Sequence, residues 1–434
     1  MIIVTAPGGC GKTTLATKFC QDQDVKDKFQ KNIFFVTFSK KPNLELIMKG
    51  LYEQKGYPVP TLQNEAIDPV KWLKKVEMEK EDDPLLLILD DVWSGSESLL
   101  GKFEFRMSNY KILVTSRSEF PRLGSSYHLQ PLDDDNAMEL FRQTASLGDK
   151  ISHIPKEIVK HCNGFPLVIT VAGRSLCGQP EEMWRSRVDE WSKGSSILDF
   201  ETELLLRLQI SVDVLDDAMP NVKECFLDLG AFPEDAEIKV TALIDMWSEL
   251  YDLEKETSCI AKLYELNNRN LALLQESEGD KGLEVVHGAI DYSKHVVRQH
   301  DLLRELAIYN SKRGPMQHRE RLVIEICGNN FTKWWRQQKY PYMNACLVSI
   351  STDAELSVKL PNLQLPEAEV LVLNFQSKTS YALPEFVEGM DKLKVLLVIN
   401  YSSLCEELDN FQLLGSLSNL RSVRLDGINW SCIT

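Results

Sequence analysis

The sequence predicts a parallel α/β domain at the N-terminus, followed by a helical region, a small mixed unit and a terminal run of short repeats. Three observations carry that prediction. Residues 1–130 alternate strand-length apolar runs with amphipathic helical stretches. From 131 to about 330 the pattern is mainly helical, and beyond it a leucine spacing recurs about every 25 residues.

Ile2-Ile3-Val4 reads as a strand, and a glycine-rich turn leads from it into a helix over Lys12 to Cys20. Ile33 to Phe38 is a β-branched and aromatic run of strand length. Asn43 is placed to cap a helix carrying Leu44, Ile47, Met48 and Leu51 on one face. A helix over Val70 to Lys80 precedes the strands Leu85 to Leu89 and Lys111 to Thr115, and Tyr127-His128-Leu129 is a further short run. Continuous apolar strands separated by helices indicate a parallel sheet covered on both faces.

Asp133 followed by Asn136-Ala137-Met138-Glu139-Leu140-Phe141 looks like a capped helix, with breaks after it at Gly148, Gly164-Phe165-Pro166 and Gly178. Helices are predicted over Leu204–Val214, Val222–Leu229, Val240–Leu250, Ile260–Asn268 and Asp301–Tyr309. A hairpin of Leu271–Leu274 with Leu283–Val286 is set between the last two. Helices, a small hairpin and another helix suggest a winged-helix unit. In the last hundred residues Ala368-x-x-Leu371-x-Leu373, Leu393-x-x-Leu396-x-Val398 and Leu420-x-x-Val423-x-Leu425 match the spacing of leucine-rich repeats. The sequence ends soon after the third, so a truncated repeat segment is expected. The resulting division is 1–130, 131–200, 201–330 and 331–434.

With 434 residues, several domains are expected. A formal charge of −15 argues against non-specific nucleic-acid binding, which needs excess Lys and Arg to displace counterions. The acidic run Glu77 to Asp83 reads as solvated surface. The ten cysteines form no Cys-x-x-Cys pair, which argues against a disulfide framework or the usual zinc site and favours a reducing cytosolic or nuclear compartment. No unbroken apolar stretch reaches the length of a membrane span, and Met1-Ile2-Ile3-Val4 does not read as a signal peptide.

The chemistry concentrates in residues 6–13, Ala-Pro-Gly-Gly-Cys-Gly-Lys-Thr. Ala6 replaces the first glycine of the usual phosphate-loop signature, and the rest is intact. Gly8, Gly9 and Gly11, with Cys10 between them, let backbone N–H groups turn around a phosphate. Lys12 adds a cation for the β and γ oxygens, Thr13 a hydroxyl for Mg²⁺, and the helix carrying Thr14 a positive N-terminal dipole. The expected ligand is an adenine nucleotide, ADP or ATP. Leu85–Leu89 ends in Asp90-Asp91, as a Walker B strand does: Asp90 would hold Mg²⁺ through water, and Asp91 is the candidate catalytic residue, orienting an attacking water. Alone, such a run is also a strand followed by a turn. Arg117, at the carboxyl end of Lys111–Thr115, would distinguish a γ-phosphate, or would be an ordinary surface arginine. His287 and His295 lack metal-ligand spacing, and Trp334-Trp335-Arg336 reads as packing at a domain junction.

Together these residues resemble the NB-ARC module of plant nucleotide-binding leucine-rich-repeat disease resistance proteins. Gly8–Thr14 is similar to its phosphate loop, Leu85–Trp93 to its Walker B segment and Lys111–Arg117 to its sensor strand. Cys162-Asn163-Gly164-Phe165-Pro166-Leu167 looks like its Gly-Leu-Pro-Leu motif, and Cys225 to Asp235 like its winged-helix signature. Gln299-His300-Asp301 stands where most members have Met-His-Asp. That Gln299, with Ala6-Pro7, resembles the helper subclass, whose N-terminal four-helix domain acts at membranes. The sequence starts flush with the first strand, so a chain lacking that domain, with adenine affinity reduced, is expected. The resemblance implies that residues 131–200 and 201–330 are its two ARC subdomains, that Pro166 packs against adenine, and that His300 contacts the β-phosphate of ADP with Asp301 holding it. It implies a switch in plant defence, ADP-bound at rest and ATP-bound when active, with at most slow hydrolysis. Partners would be other immune receptors or signalling proteins, in an oligomer when active. The alternatives are a truncated, signalling-incompetent receptor that binds nucleotide and partners, and a metabolic P-loop ATPase or kinase.

Overall fold

The computed structural model describes the chain except residues 39–41, 43, 57–68, 70–71, 73–83, 105–108, 148–153, 193–199, 278–291, 314, 316–317, 327–341, 353–362, 376–379, 402–406 and 429–434. It divides into two compact units, Met1–Leu204 and Leu205–Thr434.

In the first unit β1 (Ile2–Thr5), β2 (Ile33–Thr37), β3 (Leu85–Val92), β4 (Tyr110–Ser116) and β5 (Ser125–His128) form one sheet. Its order is β2-β3-β4-β1-β5, and every neighbouring pair is parallel. The continuous apolar runs have a direct cause, since alternate residues feed two separate cores. Leu85, Leu87 and Leu89 pack with Ile3, Phe34, Val36 and Val114 on one face, against Met48 and Leu51 of the helix Leu44–Gln54. Leu86 and Ile88 pack on the other face against Ala16, Val25 and Phe29, from the helices Lys12–Gln21 and Gln23–Phe29. With both faces buried, no position is left for a polar alternation. Four further helices follow at Asp134–Ala145, Ile154–His161, Pro166–Leu176 and Glu181–Ser192. Asp133 caps the first of them, accepting the Asn136 N–H at 2.8 Å. The expected helix over Val70 to Lys80, the Asn43 cap and the acidic run lie outside the described residues.

The second unit contains the helices Val222–Leu229, Val240–Leu250 and Glu256–Asn268, then Asp301–Ser311. Among them β6 (Ile238–Lys239), β7 (Leu273–Glu276) and β8 (His295–Arg298) form an antiparallel sheet in the order β6-β8-β7. The described partner of β7 is therefore His295–Arg298, while the expected arm Leu283–Val286 lies outside the described residues, as does Trp334-Trp335-Arg336.

The C-terminal strands are β9 (Arg321–Ile326), β10 (Leu347–Thr352), β11 (Val370–Phe375), β12 (Ser380–Ala382), β13 (Val395–Asn400), β14 (Glu407–Asp409) and β15 (Ser422–Asp426). β9, β10, β11, β13 and β15 stack in that order, all parallel, while β12 and β14 pair separately. Leu371 and Leu373, Leu396 and Val398, and Leu425 point into one shared core, as the leucine spacing predicts. The structure adds β9 and β10 ahead of the three repeats legible in sequence, and β9 lies before the expected boundary at 330. Their other face mixes buried apolar side chains such as Leu347, Val372 and Leu397 with polar ones, and the polar ones are answered from elsewhere in the same unit. Ser349 Oγ and Asn374 Nδ2 donate to the Ala231 carbonyl at 2.5 and 3.2 Å. Asp245 of the helix Val240–Leu250 accepts from Ser422 Oγ at 2.6 Å and Arg424 Nε at 2.5 Å. Among the described residues no helix is long and apolar enough to cross a membrane.

Candidate functional site

Parallel strands deliver their carboxyl ends to a common edge. Three candidate segments follow such ends in the first unit: the glycine loop after β1, Asp90-Asp91 at the end of β3, and Arg117 after β4. The loop turns through left-handed backbone at Gly9 (φ 74°) and Gly11 (φ 89°), which glycine adopts without a Cβ penalty. Gly11 is the N-cap of the helix Lys12–Gln21, so the positive end of the helix opens into the loop.

Lys12 is buried, and its Nζ donates to the carbonyls of Ala6 at 2.9 Å and Pro7 at 3.0 Å. Burial pulls its pKa down; Asp91 chiefly opposes that pull, and Arg117 reinforces it. A cation held by neutral carbonyls beside a helix N-terminus fits an incoming anion. Burial pushes the Cys10 thiol up, so this cysteine is a packed wall rather than a nucleophile. Gly8 is buried, while Thr13 and Thr14 stand exposed at the helix start.

The aspartates sit in a bulge. Leu89 pairs with Val114 and Val92 with Ser116, so Asp90 and Asp91 together oppose Thr115 alone. Asp91 takes φ 52° there. Thr115, which the sequence reading had not singled out, stitches the bulge. Its hydroxyl donates to Asp90 Oδ1 at 2.5 Å and accepts the Asp91 N–H at 2.9 Å. The strand register that sets Thr115 there is a tertiary fact with no local signature. The Thr13 side chain acts on Asp90, pulling its pKa down against burial, so the two expected Mg²⁺ ligands are neighbours. Arg117 lies over the Trp93 ring, 4.6 Å from its centroid, and the Trp93 indole N–H donates to Asp91 Oδ2 at 3.1 Å.

Burial raises the pKa of Asp90, with the Thr115 and Thr13 hydrogen bonds pulling the other way. A carboxyl whose folded pKa exceeds its unfolded one destabilises the fold fully above the raised value. That penalty is relieved as pH falls through the raised value toward 3.8. Asp90→Asn should therefore raise the melting temperature of nucleotide-free protein by a few degrees near neutral pH. The gain should shrink on acidification, and Mg²⁺-dependent ATP affinity should fall about tenfold or more. Calorimetry and thermal denaturation at several pH values check both.

Pro166 opens the helix Pro166–Leu176, with the Leu167 N–H donating to Gly9 O at 3.3 Å. A Cβ on Gly11 would lie 3.8 Å from Pro166 Cγ, so the proline rests against the phosphate loop itself. Gly164 fixes this approach: at φ 70°, a Cβ there would stand 2.2 Å from the Leu132 carbonyl oxygen.

In the second unit His300 caps the helix Asp301–Ser311, its Nδ1 accepting the Leu302 N–H at 3.2 Å. An accepting Nδ1 puts the proton of the neutral ring on Nε2, making that atom a donor. Beside it Gln299 is 9% exposed, and neither its Oε1 nor its Nε2 has a partner among the described residues. A buried unsatisfied amide costs about 1–3 kcal/mol. Gln299→Met, which keeps the volume and removes the polar atoms, should raise the melting temperature by several degrees in a thermal scan.

Comparison with known proteins gives three findings. The NB-ARC domain model matches residues 1–149. The chain is 43% identical to Probable disease resistance protein At5g66900 of Arabidopsis thaliana, over 99% of this chain and 52% of that protein. It is 31% identical to Disease resistance protein ADR1 of the same plant, over 98% and 51% respectively. The chain thus spans about half the length of the curated relatives it matches. Among solved structures, a signal transduction ATPase with a tetratricopeptide repeat sensor from Pyrococcus horikoshii aligns at TM-score 0.45 and 16% identity, covering 72% of this chain and 40% of that one.

Proposed function

Because residues 1–149 are an NB-ARC domain and nearly the whole chain is related to plant disease resistance proteins, we propose that the chain is the nucleotide-operated switch of a plant immune receptor. It rests with ADP and is active with ATP. The observation that carries the reading is the buried Lys12 ammonium at a helix N-terminus, with the Asp91 and Asp90 carboxylates favouring its charge.

The loop Gly8–Thr14 wraps the phosphates with its N–H groups, and Lys12 turns from the Ala6 and Pro7 carbonyls to the β and γ oxygens. Thr13 and Asp90 would hold Mg²⁺, which would supply charge neutralisation between those oxygens. Among the described residues no group of three or more His, Cys, Asp or Glu is arranged to hold a metal. Phosphate oxygens would supply its further ligands. Asp91 orients water for slow hydrolysis, and Arg117 reads the γ-phosphate. Pro166 bounds the adenine side, and His300 donates to the β-phosphate of ADP in the resting form. A γ-phosphate favours the form without that histidine contact, which is population shift by differential affinity. Helices with the small antiparallel sheet read as a winged-helix domain, and the stacked C-terminal strands as leucine-rich repeats. Partners are other receptors or signalling proteins, joined in an oligomer in the ATP form.

Extraction of the nucleotide that copurifies with the protein tests this. ADP is expected from the wild type, and Asp301→Val should raise the ATP share severalfold by loosening His300. Folded protein with no adenine nucleotide and no uptake at millimolar concentration overturns the reading.

A further inference from the structure

We infer that the outer edge of β5 is an interaction surface for a second copy of this chain, which adds its own β5 antiparallel across a twofold axis at Tyr127. The inference stands apart from the nucleotide reading, since no residue of the phosphate loop takes part.

The free edge follows from the ladder. β5 ends the sheet, beside β1. The Ser125 N–H donates to the Met1 carbonyl and the Leu129 N–H to the Thr5 carbonyl, so the odd positions from 125 to 129 face β1. Strand alternation then turns the N–H and C=O of Ser126 and His128 outward. There the His128 carbonyl accepts a long bond from Gln130 Nε2, at 3.4 Å. All four residues of the strand are exposed, and none is a Lys, Asp, Glu or Pro of the kind that blunts an edge.

Beside the edge lies an apolar patch on one face of the sheet. Ile2 pairs with Leu113, which packs in the core beneath the helix Lys12–Gln21. Tyr127 pairs with Val4, two residues past Ile2, and so lies on the same face. Ile2 is 54% exposed and Tyr127 57%. The helix adds Leu15 and Phe19, both exposed and one turn apart. Its Ala16 packs over Leu86 and Ile88 of β3. A right-handed crossover from β1 to β2 then puts the flank carrying Leu15 and Phe19 on the side of β1 and β5. Four large apolar side chains grouped beside an open strand are more than scattered exposure.

A second copy fits this surface on two grounds. In an antiparallel pair, opposite residues share a face. A twofold axis at Tyr127 therefore sets Tyr127 against its copy, and Ser126 against the copy's His128. Ser126 and His128 exchange their outward main-chain bonds, and the two Tyr127 rings meet as a close, non-hydrogen-bonded pair that joins the two patches. The charges favour the same direction. Exposed Arg122 stands ahead of the strand, and exposed Asp133, Asp134 and Asp135 follow it. Glu119, also ahead of it, is turned to His128 Nε2 at 3.7 Å. An antiparallel copy lays the basic entry of each strand beside the acidic exit of the other, whereas a parallel copy sets like against like.

Sedimentation of the full chain over a concentration series, with and without nucleotide, tests the inference. A dimer with a dissociation constant on the order of 10 µM is expected, unchanged by ADP or ATP. Ser126→Pro removes an outward N–H and no bond to β1, and Tyr127→Lys sets two cations against each other at the axis. Each should weaken the dimer at least about tenfold, with thermal scans reporting folded protein. Arg122→Glu should weaken it severalfold. Tyr127→Cys should give a disulfide-linked dimer above the wild-type level on mild oxidation, because opposed Cα atoms at such a position stand about 4.5 Å apart. A chain that stays monomeric to about 100 µM overturns the inference and leaves the edge to an extended segment of a different protein. A dimer untouched by both Ser126→Pro and Tyr127→Lys, or one that forms only with ATP, overturns it as well.

Discussion

Lys12→Ala should abolish nucleotide binding while leaving the nucleotide-free protein folded. The ammonium is the one cation inside the glycine loop, and each charge-assisted contact it makes to a phosphate oxygen is worth about 1.5–3 kcal/mol. Loss of two such contacts lowers affinity by at least about a hundredfold. The stability side runs the other way. In the nucleotide-free protein the ammonium donates to the carbonyls of Ala6 and Pro7, and burial disfavours its charge more than Asp91 and Asp90 favour it. Removing it relieves that desolvation, so the loss of binding cannot be ascribed to unfolding. Titration calorimetry with ADP, paired with a thermal scan of the same variant, checks both halves. Unchanged affinity would remove Lys12 from the site.

Arg321→Ala should be the most damaging single change to the second unit. Arg321 opens β9 and is buried, with Nε on Asp228 Oδ1 at 2.6 Å and Nη2 on Glu224 Oε2 at 2.6 Å. The Tyr251 hydroxyl accepts from the same Nη2 at 3.0 Å and donates to Asp228 Oδ2 at 2.7 Å. This cluster ties the helix Val222–Leu229, the residue just after Val240–Leu250 and the first C-terminal strand into one body. Asp228 has no solvent exposure, and burial already raises its pKa against the pull of Arg321. Without the guanidinium the carboxylate is buried and uncompensated by its main partner. Breaking such a pair from one side costs about 3–5 kcal/mol, which lowers the melting temperature on the order of 10 °C. The pKa of Asp228 then rises further, so the loss is greatest at neutral and higher pH and is relieved as pH falls through that raised value. Replacing both partners by apolar residues, as in Asp228→Leu with Arg321→Met, should recover most of the stability. Thermal denaturation of the single and double variants across pH reads all of this.

Arg321 also illustrates what was hidden in the sequence. Its strand, Arg321-Leu322-Val323-Ile324-Glu325-Ile326, carries charges at two of the outward positions, so it does not read as a buried strand. Those charges are answered by residues far away in sequence, Asp228 and Glu224 for Arg321 and Arg304 for Glu325. β10 is similar, with Ser349 satisfied by the Ala231 carbonyl. By contrast β11 and β13 wrote their leucines at the expected spacing, and β3 is apolar on both sides because two cores claim it.

The phosphate loop was legible because its chemistry is local: left-handed turns at Gly9 and Gly11 and a cation at the first helical residue are all set within seven positions. The sequence by itself determined the parallel N-terminal sheet, the glycine loop with Lys12, the aspartates closing β3 and the leucine rows of the C-terminal sheet. Only the tertiary structure decided that Thr115 stitches the bulge, that Trp93 touches both Asp91 and Arg117, that Pro166 rests on the loop at Gly11, and that Arg321 and Asp228 share a buried pair. The physical reason is the range of the interaction. Apolar periodicity and glycine conformations act between neighbours in the chain, whereas a hydrogen bond or ion pair across a strand register is created by folding and leaves no trace at either residue beforehand.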